Sequence, residues 1–284
     1  MSKSISGRLP IFPVRLGLKA SCDPIQVASR LTYQPEIFEF YTSEHDFTPQ
    51  GLKMLRDAIE TVKMSGVKHI ILHQPMKYQG QFLELVAHPA HKPELVSFID
   101  ETTKTLLELA NAFDCKVLVH GSYDLREKDL LDPFETLKNA QDYLFSRIDA
   151  LWQLGGNRIM FENGISNLFS FGHPDFDQVL LQKGYPLAYD ISHAFIFLNR
   201  DNVALQRSLS TLKKNIVHYH LVDSFGKRHD SLPLGQGKID WAKLLPLLNS
   251  RATSIYEINL ANVTNPKEQV ASHAYLKRLV QELN

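Results

Sequence analysis

What most constrains this chain is its rhythm. Short apolar segments alternate with longer amphipathic ones about eight times along the 284 residues. Runs at residues 14–18, 36–41, 69–73, 116–120, 158–162, 186–190, 216–223 and 253–258 read as strands, because β-branched and aromatic residues crowd short stretches bounded by turn residues. A helical segment follows each run, at 24–31, 48–64, 93–113, 133–154, 174–182, 193–212, 240–248 and 266–283. Thr48-Pro49 and Pro266 are start signals and Gly66 is a stop. This period and length predict an α/β protein, a (β/α)8 TIM barrel, with residues 1–284 as a single domain. The rival is a doubly wound open sheet, which usually carries a Gly-rich turn after its first strand. Residues 19–24 run Lys-Ala-Ser-Cys-Asp-Pro and hold no such turn.

In a barrel of parallel strands the chemistry sits at the C-terminal strand ends. Here those ends are His73, His120, Glu162, Asp190, His220 and Glu257, with His193 three residues beyond Asp190. Each has an ordinary explanation taken singly, since a histidine can be a bonded core residue and an Asp or Glu after a strand can cap a helix. Together they do not, because packing disfavours unpaired charge. Crowded carboxylates resist ionisation. A divalent cation relieves that, and mixed carboxylate and imidazole ligands suit Mn²⁺, Mg²⁺, Co²⁺, Fe²⁺ or Zn²⁺. Side chains alternate across a strand, so His218 shares a face with His220; it is expected to fill the barrel or support its neighbour. Asn163 is expected to orient Glu162. Arg228 can be a solvated loop charge or can meet a phosphate or a developing oxyanion.

Formal net charge is zero, which argues against a nucleic-acid partner. Cys22 and Cys115 lie far apart without metal-type spacing, which fits a reducing compartment. Residues 1–13 lack the apolar core of a signal peptide, and no apolar run has the length of a membrane span. The expectation is a cytoplasmic protein without a membrane partner, compatible with a homo-oligomer.

The pieces Ile71-Leu72-His73, Val117-Leu118-Val119-His120-Gly121, Phe161-Glu162-Asn163, Asp190-Ile191-Ser192-His193, His220-Leu221-Val222-Asp223, Leu234-Gly235-Gln236-Gly237-Lys238-Ile239-Asp240 and Tyr256-Glu257 occur in this order. The pattern resembles the xylose-isomerase-like TIM-barrel superfamily, from roughly Val14 to Glu282. That group holds sugar isomerases and epimerases, dehydratases, and abasic-site endonucleases of the endonuclease IV type. The resemblance implies a single-metal site of Glu162, Asp190, His220 and Glu257, with the two glutamates also trading protons with substrate. It implies a substrate-binding role for His193. The reading that follows is a divalent-metal-dependent isomerase or epimerase. Its substrate is a small sugar, polyol or hydroxy-carbonyl compound, and proton transfer runs through an enediolate. His73 and His120 would then face the substrate. A dehydratase would use the same residues. The alternative is an abasic-site phosphodiesterase with a multi-zinc cluster, in which His73, His120, His193 and His229 hold additional metal. Ser231 stands where the endonucleases place a zinc-binding histidine, which counts against that cluster.

Overall fold

The computed structural model describes residues 14–126 and 128–283. Eight parallel strands follow one another around a barrel in sequence order. They are β1 (Gly17–Ala20), β2 (Ile37–Tyr41), β3 (His69–His73), β4 (Lys116–His120), β5 (Ile159–Glu162), β6 (Leu187–Asp190), β7 (Ile216–Leu221) and β8 (Thr253–Tyr256). Each is hydrogen-bonded to the next. The barrel closes without a described ladder between β8 and β1. The two strands meet at Gly17, where an added Cβ would stand 1.9 Å from the Ser254 carbonyl oxygen. Only glycine permits that approach.

The outer layer of helices comprises α1 (Pro24–Leu31), α2 (Pro49–Met64), α3 (Pro93–Phe113), α4 (Leu137–Gly155), α5 (Pro174–Lys183), α6 (Ile191–Phe197), α7 (Asn202–Leu212), α8 (Trp241–Leu244) and α9 (Lys267–Leu283). Several boundaries differ from the sequence expectation for local reasons. The first strand runs over 17–20 rather than 14–18, because pairing with β2 begins at Gly17. The segment 193–212 is two helices. Asn199 and Arg200 take φ of 50° and 71°, a left-handed turn that ends α6, and the Asp201 side chain caps α7 by accepting from Val203 and Ala204. Helix α4 starts four residues late, where Thr136 caps it through Asn139. The helix expected over 240–248 is one turn followed by the 3₁₀ turn Leu245–Leu247, since Pro246 cannot continue an α-helix.

Strand parity divides the core into two layers. Phe38, Phe40, Leu72, Val117, Val119, Phe161, Tyr189 and Tyr219 are buried in the large outer cluster against the helices. Ile37, Ile71, Leu118, Met160, Ala188 and Ile255 form a separate cluster that plugs the barrel. Two residues further along each strand the same inward face recurs. Those positions are Lys19, Glu39, His73, His120, Glu162, Asp190, His220 and Glu257. Every strand thus brings an ionisable side chain inward above a mainly apolar plug, and β7 adds a second, His218, at the level of the plug residue Ala188.

Candidate metal centre

Glu162 is fully buried, with imidazole nitrogens near both of its oxygens. Oε1 lies 3.0 Å from His220 Nδ1. Oε2 lies 3.0 Å from His120 Nε2 and 3.4 Å from His73 Nε2. These are ion-pair distances, but the Glu162 oxygens, Asp190 Oδ2 and His220 Nδ1 all lack hydrogen-bond geometry to any described partner. Orphaned atoms in a buried site normally mark a missing ligand. One ligand atom each from Glu162, Asp190, His220 and Glu257 lies within 4.8 Å of the others. That spacing and donor set fit a divalent cation.

The neighbours fix how these groups point. His220 Nε2 is held 3.0 Å from Glu39 Oε2, so Nδ1 faces the carboxylates, 2.7 Å from Glu257 Oε2. A carboxylate behind a ligating imidazole sets its tautomer and raises its basicity. His218 Nε2 shares the same Glu39 oxygen at 3.1 Å, and its Nδ1 meets Thr253 Oγ1 at 2.6 Å. His218 therefore supports the site from below, as expected. Asp190 does two jobs: Oδ1 accepts from the His193 backbone N–H at 2.6 Å and caps α6, while Oδ2 lies 3.9 Å from His220 Nδ1.

Electrostatics follow from this packing. Burial opposes ionisation of Glu162, but His120 and His220 outweigh it and hold the carboxyl well below the usual range. Burial, with Glu257 and Glu162 alongside, pushes Asp190 up to about 7. His220 is raised despite its burial because Glu162, Glu39 and Glu257 surround it. Burial lowers His120 to about 4, against the pull of Glu162.

The remaining expected residues divide. His73, His120 and Glu162 form a second compact group, and Asp190, His193 and His229 a third. Each shares one carboxylate with the four-residue group. His73 Nδ1 donates to the Gln74 carbonyl at 2.7 Å, and His193 Nδ1 to that of Asn163 at 2.7 Å, which leaves Nε2 of each ring for a ligand. Arg228 is not brought in. Its side chain is 87% exposed and paired with Asp230, and it does not line the cavity above the site. Asn163 does not orient Glu162; its amide exchanges two hydrogen bonds with the backbone of Asp190, at 3.1 and 2.8 Å, and so ties β5 to β6. Asp230 turns away from the site toward Ser224 and Phe225, and Ser231 lines the cavity.

Sequence reading missed Lys19, Glu39 and Tyr123. Lys19 Nζ pairs with Glu39 at 3.1 Å and closely with Glu257. Tyr123 stacks on His120 with ring centres 4.0 Å apart. Its loop is gripped by the buried Glu84 carboxylate, which accepts from Ser122 and from the backbone N–H groups of Tyr123, Asp124 and Leu125. The cavity over the site has a volume of about 580 Å³. Gln74 Oε1, Gln269 Oε1 and the Tyr123 hydroxyl are buried at its wall without a described hydrogen-bond partner.

The Leu-Gly-x-Gly stretch proves to be scaffold. The buried Asp223 carboxylate accepts from the N–H groups of Ser224, Gly235 and Ile239 and from Trp241 Nε1. A Cβ on Gly237 would stand 2.1 Å from Asp223 Oδ1.

Among solved structures, the fold is similar to a D-tagatose 3-epimerase-like protein at 19% identity and a TM-score of 0.67, covering 95% of this chain and 98% of that one. It is similar to the TTHB071 protein of Thermus thermophilus, soaked with zinc chloride, at 18% identity and 0.63, covering 94% and 98%. It is also similar to D-psicose 3-epimerase with D-tagatose from Clostridium cellulolyticum, at 11% identity and 0.63, covering 95% and 99%. No curated protein matches the sequence. Among the described residues no helix is long and apolar enough to cross a membrane. The family model for the xylose isomerase-like TIM barrel matches residues 83–279, and with the eight-stranded barrel and its inward ring of ionisable groups this chain belongs to that family.

Proposed function

We propose that the protein is a divalent-metal-dependent isomerase or epimerase of a small polyhydroxy carbonyl compound. A cation held by Glu162, Asp190, His220 and Glu257 would polarise a carbonyl and acidify the neighbouring C–H. Glu162 and Glu257 come from β5 and from the end of β8, and they reach the site from separate strands. One takes the carbon-bound proton and the other returns it, through an enediolate. His193 Nε2, with Nδ1–H committed to the Asn163 carbonyl, is an acceptor for a substrate hydroxyl.

The observation that carries this reading is the cavity wall. Gln74, Gln269 and Tyr123 line the cavity, and the two Oε1 atoms and the hydroxyl have no described hydrogen-bond partner. Amide oxygens need O–H or N–H donors, and a polyhydroxy substrate supplies several. The cations at the wall are otherwise engaged: Lys19 with Glu39 and Glu257, Arg126 with Asp124. Arg30 is 1% exposed. A DNA backbone draws on several free Lys and Arg contacts.

A second reading, a multi-zinc phosphodiesterase, is favoured by one observation: three of the four candidate ligand groups adjoin through Glu162 and Asp190. Clustered cations stabilise attacking and leaving oxygens at phosphorus.

The experiment is solvent-deuterium incorporation into a ketose panel that includes D-tagatose and D-psicose, followed by NMR with Mn²⁺ present. The expected result is exchange at the carbon next to the carbonyl, lost in Glu162→Gln, with no nicking of an abasic duplex. Metal-dependent nicking without any exchange would replace this reading with the second.

A further inference from the structure

Lys19 carries a fixed positive charge within the inward ring, directly against a residue of the metal site. Its position follows from the fold. Lys19 and Glu39 are register partners on β1 and β2, with Nζ 3.1 Å from Glu39 Oε1. The close approach of β1 to β8 at Gly17 brings Glu257 to the other side of the same ammonium. Glu257 therefore divides its oxygens: Oε1 is held by Lys19, and Oε2 lies 2.7 Å from His220 Nδ1. The strand beneath Lys19 is anchored, because Arg30 Nε donates to the Lys19 carbonyl at 3.2 Å. The lysine side chain is 11% exposed, so water screens its charge little.

We infer that Lys19 is an internal competitor of the metal: the ammonium and a divalent cation draw on the same Glu257 carboxylate, and Lys19 sets how tightly the cation is held. The inference rests on the metal site proposed above. Two effects act with one sign. Lys19 repels a second cation nearby, and it holds Glu257 in a pairing that the cation must loosen. Removing the charge relieves both. A lysine with only a packing role would behave oppositely, because its loss would leave metal affinity unchanged or slacken the site and weaken binding.

The test is calorimetric titration of MnCl2 into the full chain, wild type against Lys19→Met and Lys19→Arg, at one pH, with folding checked by circular dichroism. Lys19→Met should bind Mn²⁺ about tenfold tighter or more, and Lys19→Arg should stay close to wild type. Lys19→Gln repeats the measurement if Lys19→Met does not fold. Binding by wild type that is unchanged or weaker in the folded neutral variant overturns the inference and leaves the metal site standing. Binding by the neutral variant alone supports it. If neither protein takes up Mn²⁺, the metal-site reading falls and the inference falls with it.

Discussion

Glu39 supports the proposed metal site without facing it. Its Oε2 meets both His218 and His220, at 3.1 and 3.0 Å, and so fixes which nitrogen of His220 looks toward Glu162 and Glu257. Glu39→Gln keeps the shape but exchanges an anionic acceptor for a neutral amide. Cation affinity should fall about ten- to a hundredfold, read by calorimetry; unchanged affinity would show that the His220 tautomer is set elsewhere. Glu257→Gln should retain the fold and lose turnover, because an amide oxygen can still contact a cation but cannot exchange a proton. Full turnover on the true substrate would remove Glu257 from proton transfer. Titration supplies a third expectation. Asp190, pushed up to about 7, and His220, raised by its carboxylate neighbours, hold protons that a cation must displace. Below about pH 7 Asp190 is protonated and competes with the metal, and the proton on His220, raised by its carboxylate neighbours, adds to that competition. Cation affinity should therefore rise as pH rises from about 6 to 8, with proton release measurable as a dependence of binding heat on the buffer. Affinity that falls over this range would contradict the assignment of both ligands.

At the scale of elements, the turn after β7 is a device for holding Asp223. Four donors converge on its carboxylate, from Ser224, Gly235, Ile239 and Trp241, and Gly237 leaves room for it. Asp223→Ala strips buried donors of their acceptor and should cost about 3 kcal/mol or more of stability in chemical denaturation. A loss well under about 1 kcal/mol would mean the turn is held otherwise. The strands and their polar ends were legible in the sequence wherever the residue type clashed with a buried strand. His73, His120, Glu162, Asp190, His220 and Glu257 all stand out against apolar neighbours. Lys19 and Glu39 did not. Lys19 falls after a first strand that sequence alone ends at residue 18, and Glu39 lies between Phe38 and Phe40, where a charged residue reads as the solvent side of an alternating strand. The signal was parity. Glu39 follows the barrel-plug residue Ile37 by two, as His73 follows Ile71 and Glu162 follows Met160. Arg228 was misplaced for a different reason. A loop cation can be drawn to any nearby anion, and here Asp230 takes it.

For the whole molecule, the barrel sets an ionisable group from every strand over a mainly apolar plug and beneath a cavity of about 580 Å³. The ring carries four carboxylates, Glu39, Glu162, Asp190 and Glu257, against Lys19 and His220. A folded protein tolerates such a cluster when further positive charge enters it. In the proposed function this charge is a single divalent cation on Glu162, Asp190, His220 and Glu257. The most direct measurement is equilibrium dialysis of the full chain against Mn²⁺ and Zn²⁺, followed by elemental analysis, with Asp190→Asn alongside wild type. One tightly held ion per chain is expected, lost or greatly weakened in Asp190→Asn. Three tightly held zinc ions would contradict it in favour of phosphodiester chemistry, and no bound ion would contradict the metal site itself.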